Sequence, residues 1–242
     1  MLYLIDRWLV SGNCDLSERG LQFEKYITNF LKTEALNEFA KFSIIDRSKF
    51  SFVDSSGNRL EEEIDLVLKT ETTLIIAEVK CITYPLEATD LYNSFQIIKK
   101  AKSQVSRKAQ FLENNWVNFE GSLGKREGRR IEKIIVVNFP HFAGRIIEGI
   151  PIADFYLFLS YFKSGELGNV KLERGKSPEW SSMPYYDSVN SFEKNFRSFF
   201  LDPIPIKDLV SRQQIEEYEV TIQGTQPKTM SQRVIYKPRS LD

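Results

Sequence analysis

The residues whose types and spacing could do chemistry together are Asp65 and, on the next apolar run, Glu78 and Lys80. The segment EEIDLVLKTETTLIIAEVKCI reads as two strands around a short polar connection, because β-branched and apolar residues flank Thr70-Glu71-Thr72-Thr73 on both sides. Pairing the strands symmetrically about that turn sets Asp65 opposite Glu78. Side chains alternate with period two, so Lys80 shares the face of Glu78, and Val67 and Ile76 continue that face toward the turn. The reverse face, with Ile64, Leu66, Leu68, Ile75, Ala77, Val79 and Cys81, is apolar throughout. Slippage by one residue would turn the charges into the core, which argues for this register.

Two carboxylates within about 5 Å on adjacent strands repel unless a cation lies between them. Oxygen-only ligands suit Mg2+ or Mn2+. A lysine two residues along can position or help deprotonate a water, or stabilise the charge that builds on a phosphate under attack. Metal-assisted phosphodiester hydrolysis needs that combination. By spacing alone, the three charges also describe the solvated face of an ordinary antiparallel sheet, where a cross-strand pair contributes a few tenths to about 1 kcal/mol. Context weighs against that description, since Glu78 and Lys80 interrupt LIIAEVKCI, a run as apolar as a buried central strand.

These residues need elements to hold them. Ser17 or Asp15 can cap a helix running to about Lys32, with Leu21, Phe23, Ile27, Phe30 and Leu31 at helical period. FSIIDRSKFSFVDSSGNR then supplies β-formers and a Ser-Ser-Gly-Asn turn, so the text up to Cys81 predicts an antiparallel meander. Between Glu87 and Asn115 the apolar positions Leu91, Phe95, Ile98, Ala101, Val105, Ala109 and Leu112 predict one long amphipathic helix. The loop GSLGKREGRR leads to an apolar run, Ile131 to Phe139, that suits a strand buried on both faces. Residues 146–153 add a further strand, and Asp154 caps an aromatic helix to about Phe162. Beyond Gly165, Pro, Ser and Gly interrupt the text until a helix over 189–201. The Pro-rich joint DPIPIKD, a short helix and two strands, EYEVTIQG and RVIYKPR, complete the chain. The order predicts an α/β fold: a mixed central β-sheet flanked by helices over residues 1–164, with a smaller C-terminal appendage over 165–242.

With 42% hydrophobic residues in 242, the chain can bury a sizeable core. Lys plus Arg and Asp plus Glu both total 33, so no general polyanion binder is advertised and any nucleic-acid surface must be a local patch. Candidates are Lys99, Lys100, Lys102, Arg107 and Lys108 on the long helix, and Lys125, Arg126, Arg129 and Arg130 in the loop beyond. The same residues also suit a solvated helix face and a polar loop. A single histidine, His141, disfavours triads and His-ligated zinc or iron sites, and its place after an apolar strand suits a surface or capping residue. Two cysteines, Cys14 and Cys81, make no disulfide framework, which favours a reducing compartment such as the cytoplasm. No stretch reaches the roughly 20 apolar residues of a spanning helix, so no membrane partner is expected. Trp180, Tyr185 and Tyr186 suit a core better than a base-stacking platform.

Ile64-Asp65, then a hairpin, then Ala77-Glu78-Val79-Lys80, preceded by a helix and followed by a long one, resembles the core of the PD-(D/E)XK nuclease superfamily over roughly residues 17–140. Ile64 stands where that motif has proline. The resemblance implies a restriction-endonuclease-like core, a divalent metal (Mg2+ or Mn2+) held by Asp65 and Glu78, a water assisted by Lys80, and a DNA substrate. It also implies a place beside the metal for Glu24, which lies on or beside the apolar stripe of the first helix. Gln104 resembles the site-orienting helix glutamine of the NERD-like and related branches. A homodimer or larger assembly is compatible with such a protein. The same resemblance admits a nuclease-fold module that binds nucleic acid or protein without turnover.

Overall fold

The computed structural model describes residues 18–34, 37–45, 49–85, 87–171, 177, 179–204, 206–207, 213–220 and 229–236, the last two segments by their backbone. Ser17, Asp15 and Cys14, named above, lie outside this set, as does the side chain of Trp180. The elements run α1 (Arg19–Thr33), β1 (Ser43–Ile44), β2 (Lys49–Val53), β3 (Arg59–Glu63), β4 (Leu66–Lys69), β5 (Thr73–Lys80) and α2 (Ala88–Asn114). A 3-10 turn over Trp116–Phe119 and a short α3 (Glu120–Leu123) then lead to β6 (Arg130–Val137), β7 (Ile146–Ile147), β8 (Ile150–Asp154) and α4 (Phe155–Lys163). After β9 (Glu166–Lys171), β10 (Glu179–Pro184) and α5 (Val189–Leu201) come β11 (Gln213–Val220) and β12 (Thr229–Tyr236).

The central sheet has six strands in the order β1-β4-β5-β6-β8-β7. It is mixed: β5, β6 and β8 are parallel, and β1, β4 and β7 pair antiparallel with their neighbours. The α/β class with a mixed sheet flanked by helices is as the sequence predicts. The meander is interrupted, however, because β2 and β3 form a separate two-stranded sheet. In β4–β5 the observed pairs Leu66–Ala77, Val67–Ile76, Leu68–Ile75 and Lys69–Leu74 continue to Asp65 opposite Glu78, the register expected from the turn. The Thr70 N–H donates to the Thr73 carbonyl at 2.9 Å and closes that turn.

A parallel β5–α2–β6 crossover sends α2 back along the sheet, antiparallel to β5. Its N-terminus carries a reciprocal capping box between Glu87 and Asp90. Ile98, Ala101, Val105, Ala109 and Leu112 pack with Val67, Ile76, Ile135 and Val137 in one core. Leu91 and Phe95 stay exposed, since the helix outruns the sheet at its start. Ile75, Ala77 and Val79 on the reverse face are buried too. There α4 and α5 contribute Phe158, Tyr161, Phe162, Phe192, Phe196 and Phe200, all almost fully buried. The sheet is therefore covered on both faces, and the charge-bearing face of the hairpin is roofed by α2.

The domain division also differs from the sequence reading. Residues up to 167 cluster with 183–201, and 168–182 with 202–242 form a second unit that contains the antiparallel β11–β12 hairpin. Helix α5 thus belongs to the core rather than to an appendage beginning at 165. Tyr161 explains this: its hydroxyl donates to the Phe192 carbonyl at 2.6 Å, and its ring lies within 6.3 Å of those of Tyr185, Tyr186, Phe192, Phe196, Phe199 and Phe200. Gly165 begins the excursion at φ +66°, and a Cβ there would lie 2.6 Å from the Tyr186 ring and 2.7 Å from Asn37 Nδ2. Only glycine fits both the backbone and the space.

Candidate active site

Asp65 sits just before β4, and Glu78 and Lys80 close β5 at its C-terminal end. Ligand sites of open α/β sheets gather outside the carboxyl ends of parallel strands, where side chains can converge without breaking the ladder. Past Lys80, the Asn138 amide accepts from the Ile82 N–H at 2.8 Å and donates to the Ile82 carbonyl at 3.0 Å. That side chain imitates a strand neighbour and fixes the backbone beside Lys80.

Four side chains meet here. Lys108, from α2, donates to Asp65 Oδ1 and to Glu78 Oε2, at 2.6 Å each. Lys80 Nζ donates to Glu78 Oε1 at 2.6 Å. The Val79 N–H donates to Asp65 Oδ2 at 2.9 Å. All four carboxylate oxygens therefore have a donor from the protein. Exposure is graded: the Glu78 side chain is 0% exposed, Lys108 6%, Asp65 11% and Lys80 25%. Lys80 is the charged group of the four that faces the mouth.

Burial pulls the Lys108 ammonium toward neutrality, but Asp65 and then Glu78 together outweigh it, so its pKa lies above the ordinary lysine value. The ammonium is held charged between two anions. Glu24, from α1, shares a cleft of about 330 Å³ with Asp65, lined also by Ile44, Ile45, Ile64 and Leu66. Burial, and next the Asp65 charge, push its carboxyl up to about 7, against the opposing pull of Lys80 and Lys108. Glu24 therefore belongs to the same electrostatic group.

Compared with models of protein families, with curated proteins and with solved structures, the chain has no match. The site stands on its own geometry.

Among the described residues, no three Asp, Glu, His or Cys side chains are gathered closely enough to enclose a metal ion. What the site offers is the pair Asp65 and Glu78, and Mg2+ commonly takes only one or two carboxylates, filling its shell with water and phosphate oxygens. The pair already holds a cation, the Lys108 ammonium, so the position favours positive charge. A hard divalent ion fits this donor set provided that Lys108 gives way.

Other predicted site residues are placed elsewhere. Gln104 lines an open groove on α2 with Gln96, Lys99, Lys100 and Ser103, and makes no hydrogen bond to the carboxylates. One turn further on, Lys108 takes the place at the site expected of that glutamine. Lys108 was grouped with the surface cations, and burial against two carboxylates removes it from them. Its signal was in the sequence, as position 108 falls between Val105 and Leu112 on the apolar stripe, where a lysine needs a buried partner.

Lys100 is exposed beside Gln104, and Arg107 pairs with Glu62 at 2.9 Å. Arg129 and Arg130 lie by the β4–β5 turn, where β5 begins, roughly 17 Å from Glu78 along the strand, and Lys125 and Arg126 precede them in the same loop. Arg129 donates to the Thr70 carbonyl at 2.7 Å, Arg130 to Thr73 Oγ1 at 3.4 Å, and Arg126 to Glu113 at 2.6 Å. Arg129 and Arg130 thus tie the loop to the turn, and Arg126 ties it to α2. His141 packs edge-on against Tyr84 with ring centroids 4.6 Å apart, away from the carboxylates.

Proposed function

We propose that this protein is a divalent-cation-dependent endonuclease that hydrolyses phosphodiester bonds of DNA. One observation carries the reading: Asp65, Glu78 and Lys80 converge at the carboxyl end of a buried central strand, with Glu24 in the same cleft as Asp65. An acid pair is costly to bury, and its placement in a cleft at a strand end points to use. Asp65 and Glu78 would hold Mg2+ or Mn2+, which when bound polarises a phosphoryl oxygen and lowers the pKa of a coordinated water. Lys80, hydrogen-bonded to Glu78 and partly exposed, is placed to orient that water or to receive the phosphate. Glu24, half protonated near neutral pH, can accept or return a proton at the edge of the cleft.

A second reading, a nuclease-fold module without turnover, has one observation in its favour. Lys108 and Lys80 already neutralise both carboxylates, so the network is complete as an internal salt bridge. The two readings separate in one experiment. Purified protein is incubated with supercoiled plasmid, linear duplex, single-stranded DNA and RNA in Mg2+, Mn2+ or chelator. Metal-dependent cleavage that is lost in Asp65→Ala, Glu78→Ala and Lys80→Ala supports the enzyme; cleavage unchanged in all three rejects this site.

A further inference from the structure

We infer that Lys108 is the resident cation of the site and that a divalent ion and the Lys108 ammonium exclude each other between Asp65 and Glu78. The inference rests on the nuclease reading and adds to it a residue that sets metal affinity and prepares the site for the phosphate.

Geometry comes first. The ammonium contacts one oxygen of each carboxylate, Asp65 Oδ1 and Glu78 Oε2, at 2.6 Å. The other oxygen of each carboxylate is taken, Asp65 Oδ2 by the Val79 N–H and Glu78 Oε1 by Lys80. A divalent ion held by Asp65 and Glu78 would need the place the ammonium fills, so the two cannot occupy it together. Charge gives the same answer. Asp65, Glu78, Lys80 and Lys108 sum to zero and Glu24 adds at most one negative charge, so a dication added to the intact set would leave a positive surplus in a largely buried site. Releasing Lys108 from between the acids removes one positive charge from that place.

Helix direction says where the lysine goes. Helical side chains lean toward the helix N-terminus. Because α2 runs antiparallel to β5, that direction is the mouth, where Lys80 is exposed. A displaced Lys108 thus moves toward the place of the substrate phosphate, and the metal-free protein keeps its acid pair neutralised without an ion.

The test is calorimetric titration of Mn2+ into chelator-treated wild type, Lys108→Met and Lys108→Arg, with circular dichroism to confirm folding. Lys108→Met should bind Mn2+ about tenfold or more tightly than wild type, and Lys108→Arg, which retains the charge, should not. A lysine with only a structural role would give unchanged or weaker binding in folded Lys108→Met. Amine-labelling mass spectrometry on wild type provides a readout free of mutation. Lys108 should react slowly in chelator and about fivefold or more faster in saturating Mn2+, since it passes from a buried to a solvated state. Unchanged labelling at saturation, or no gain in affinity in folded Lys108→Met, overturns the exclusion while Mn2+ binding itself leaves the nuclease reading in place. Absence of Mn2+ binding in wild type and in folded Lys108→Met overturns both.

Discussion

Asp65 accepts a hydrogen bond from the backbone N–H of Val79 at 2.9 Å, so the first acid of the site is pinned by the strand that carries the second. Fold and chemistry share this contact and can be pulled apart. Asp65→Asn keeps an acceptor for Val79 but lowers the negative charge facing Lys108, and should remain folded while losing metal-dependent cleavage. Asp65→Ala loses the acceptor as well, and should cost on the order of 2–4 kcal/mol in chelator. Urea unfolding of the two variants checks the difference.

Lys108 and Glu78 form the most buried ion pair of the described residues. Removing either partner strands a charge, so Lys108→Met or Glu78→Leu alone should destabilise the metal-free protein by about 3–5 kcal/mol, lowering the melting temperature by roughly 10 °C. The double variant should recover part of that loss, because the two most buried charges go together, leaving Asp65 with the Val79 N–H and Lys80 partly exposed. A double-mutant cycle followed by thermal melting reads the coupling directly.

Glu24 sets a pH dependence. Its carboxyl is raised from an ordinary 4.5 to about 7, which means that the folded state holds a proton the unfolded chain has lost. Between those values the unfolded state binds fewer protons, so this group makes stability fall as pH rises, with no further change above the folded pKa. Glu24→Gln imitates the protonated form. In chelator, its melting temperature should match wild type near pH 4.5 and exceed it increasingly up to pH 7, then run parallel.

Glu193 links α5 to the hairpin that positions the acids. Its carboxylate accepts from the Glu71 N–H at 2.8 Å and the Thr72 N–H at 2.9 Å, and from the Thr72 hydroxyl. Burial raises its pKa, but hydrogen bonds from Thr72 and its neighbours more than offset this, and the net shift is downward. For a lowered acid the contribution is complete above the unfolded pKa and disappears as pH falls through the folded one. Glu193→Gln should therefore cost about 1–2 kcal/mol at pH 7, and the gap to wild type should close on acidification below pH 4. Chemical unfolding at the two pH values measures it.

Much of this arrangement was legible in the sequence. The turn at Thr70–Thr73 fixed the pairing of Asp65 with Glu78, since a two-residue period leaves one register that keeps both faces consistent. By charge type Lys108, beside Arg107, looks like a surface cation, yet its helical phase sets it on the stripe of Val105 and Leu112. The domain boundary was misplaced for a different reason. Local breakers after Gly165 mark an excursion, and Tyr185 and Tyr186 are buried as their type suggests, but the return of α5 to the aromatic core depends on long-range contacts that no local pattern carries. The partners of Arg129 and Arg130 at the far end of β5 lie far from them in the sequence, and no local pattern carries them.

Glu78 is the acid on which the account depends most, being fully buried and bonded to both lysines. The decisive measurement is the single-turnover cleavage rate, in Mn2+ and in Mg2+, of wild type against Glu78→Gln, on whichever nucleic acid wild type cuts best. Replacing one carboxylate of a two-acid metal site while keeping its shape should reduce the rate by about a hundredfold or more, with the fold intact by circular dichroism. A folded Glu78→Gln protein that cleaves at the wild-type rate would contradict a nuclease centre at Asp65, Glu78 and Lys80.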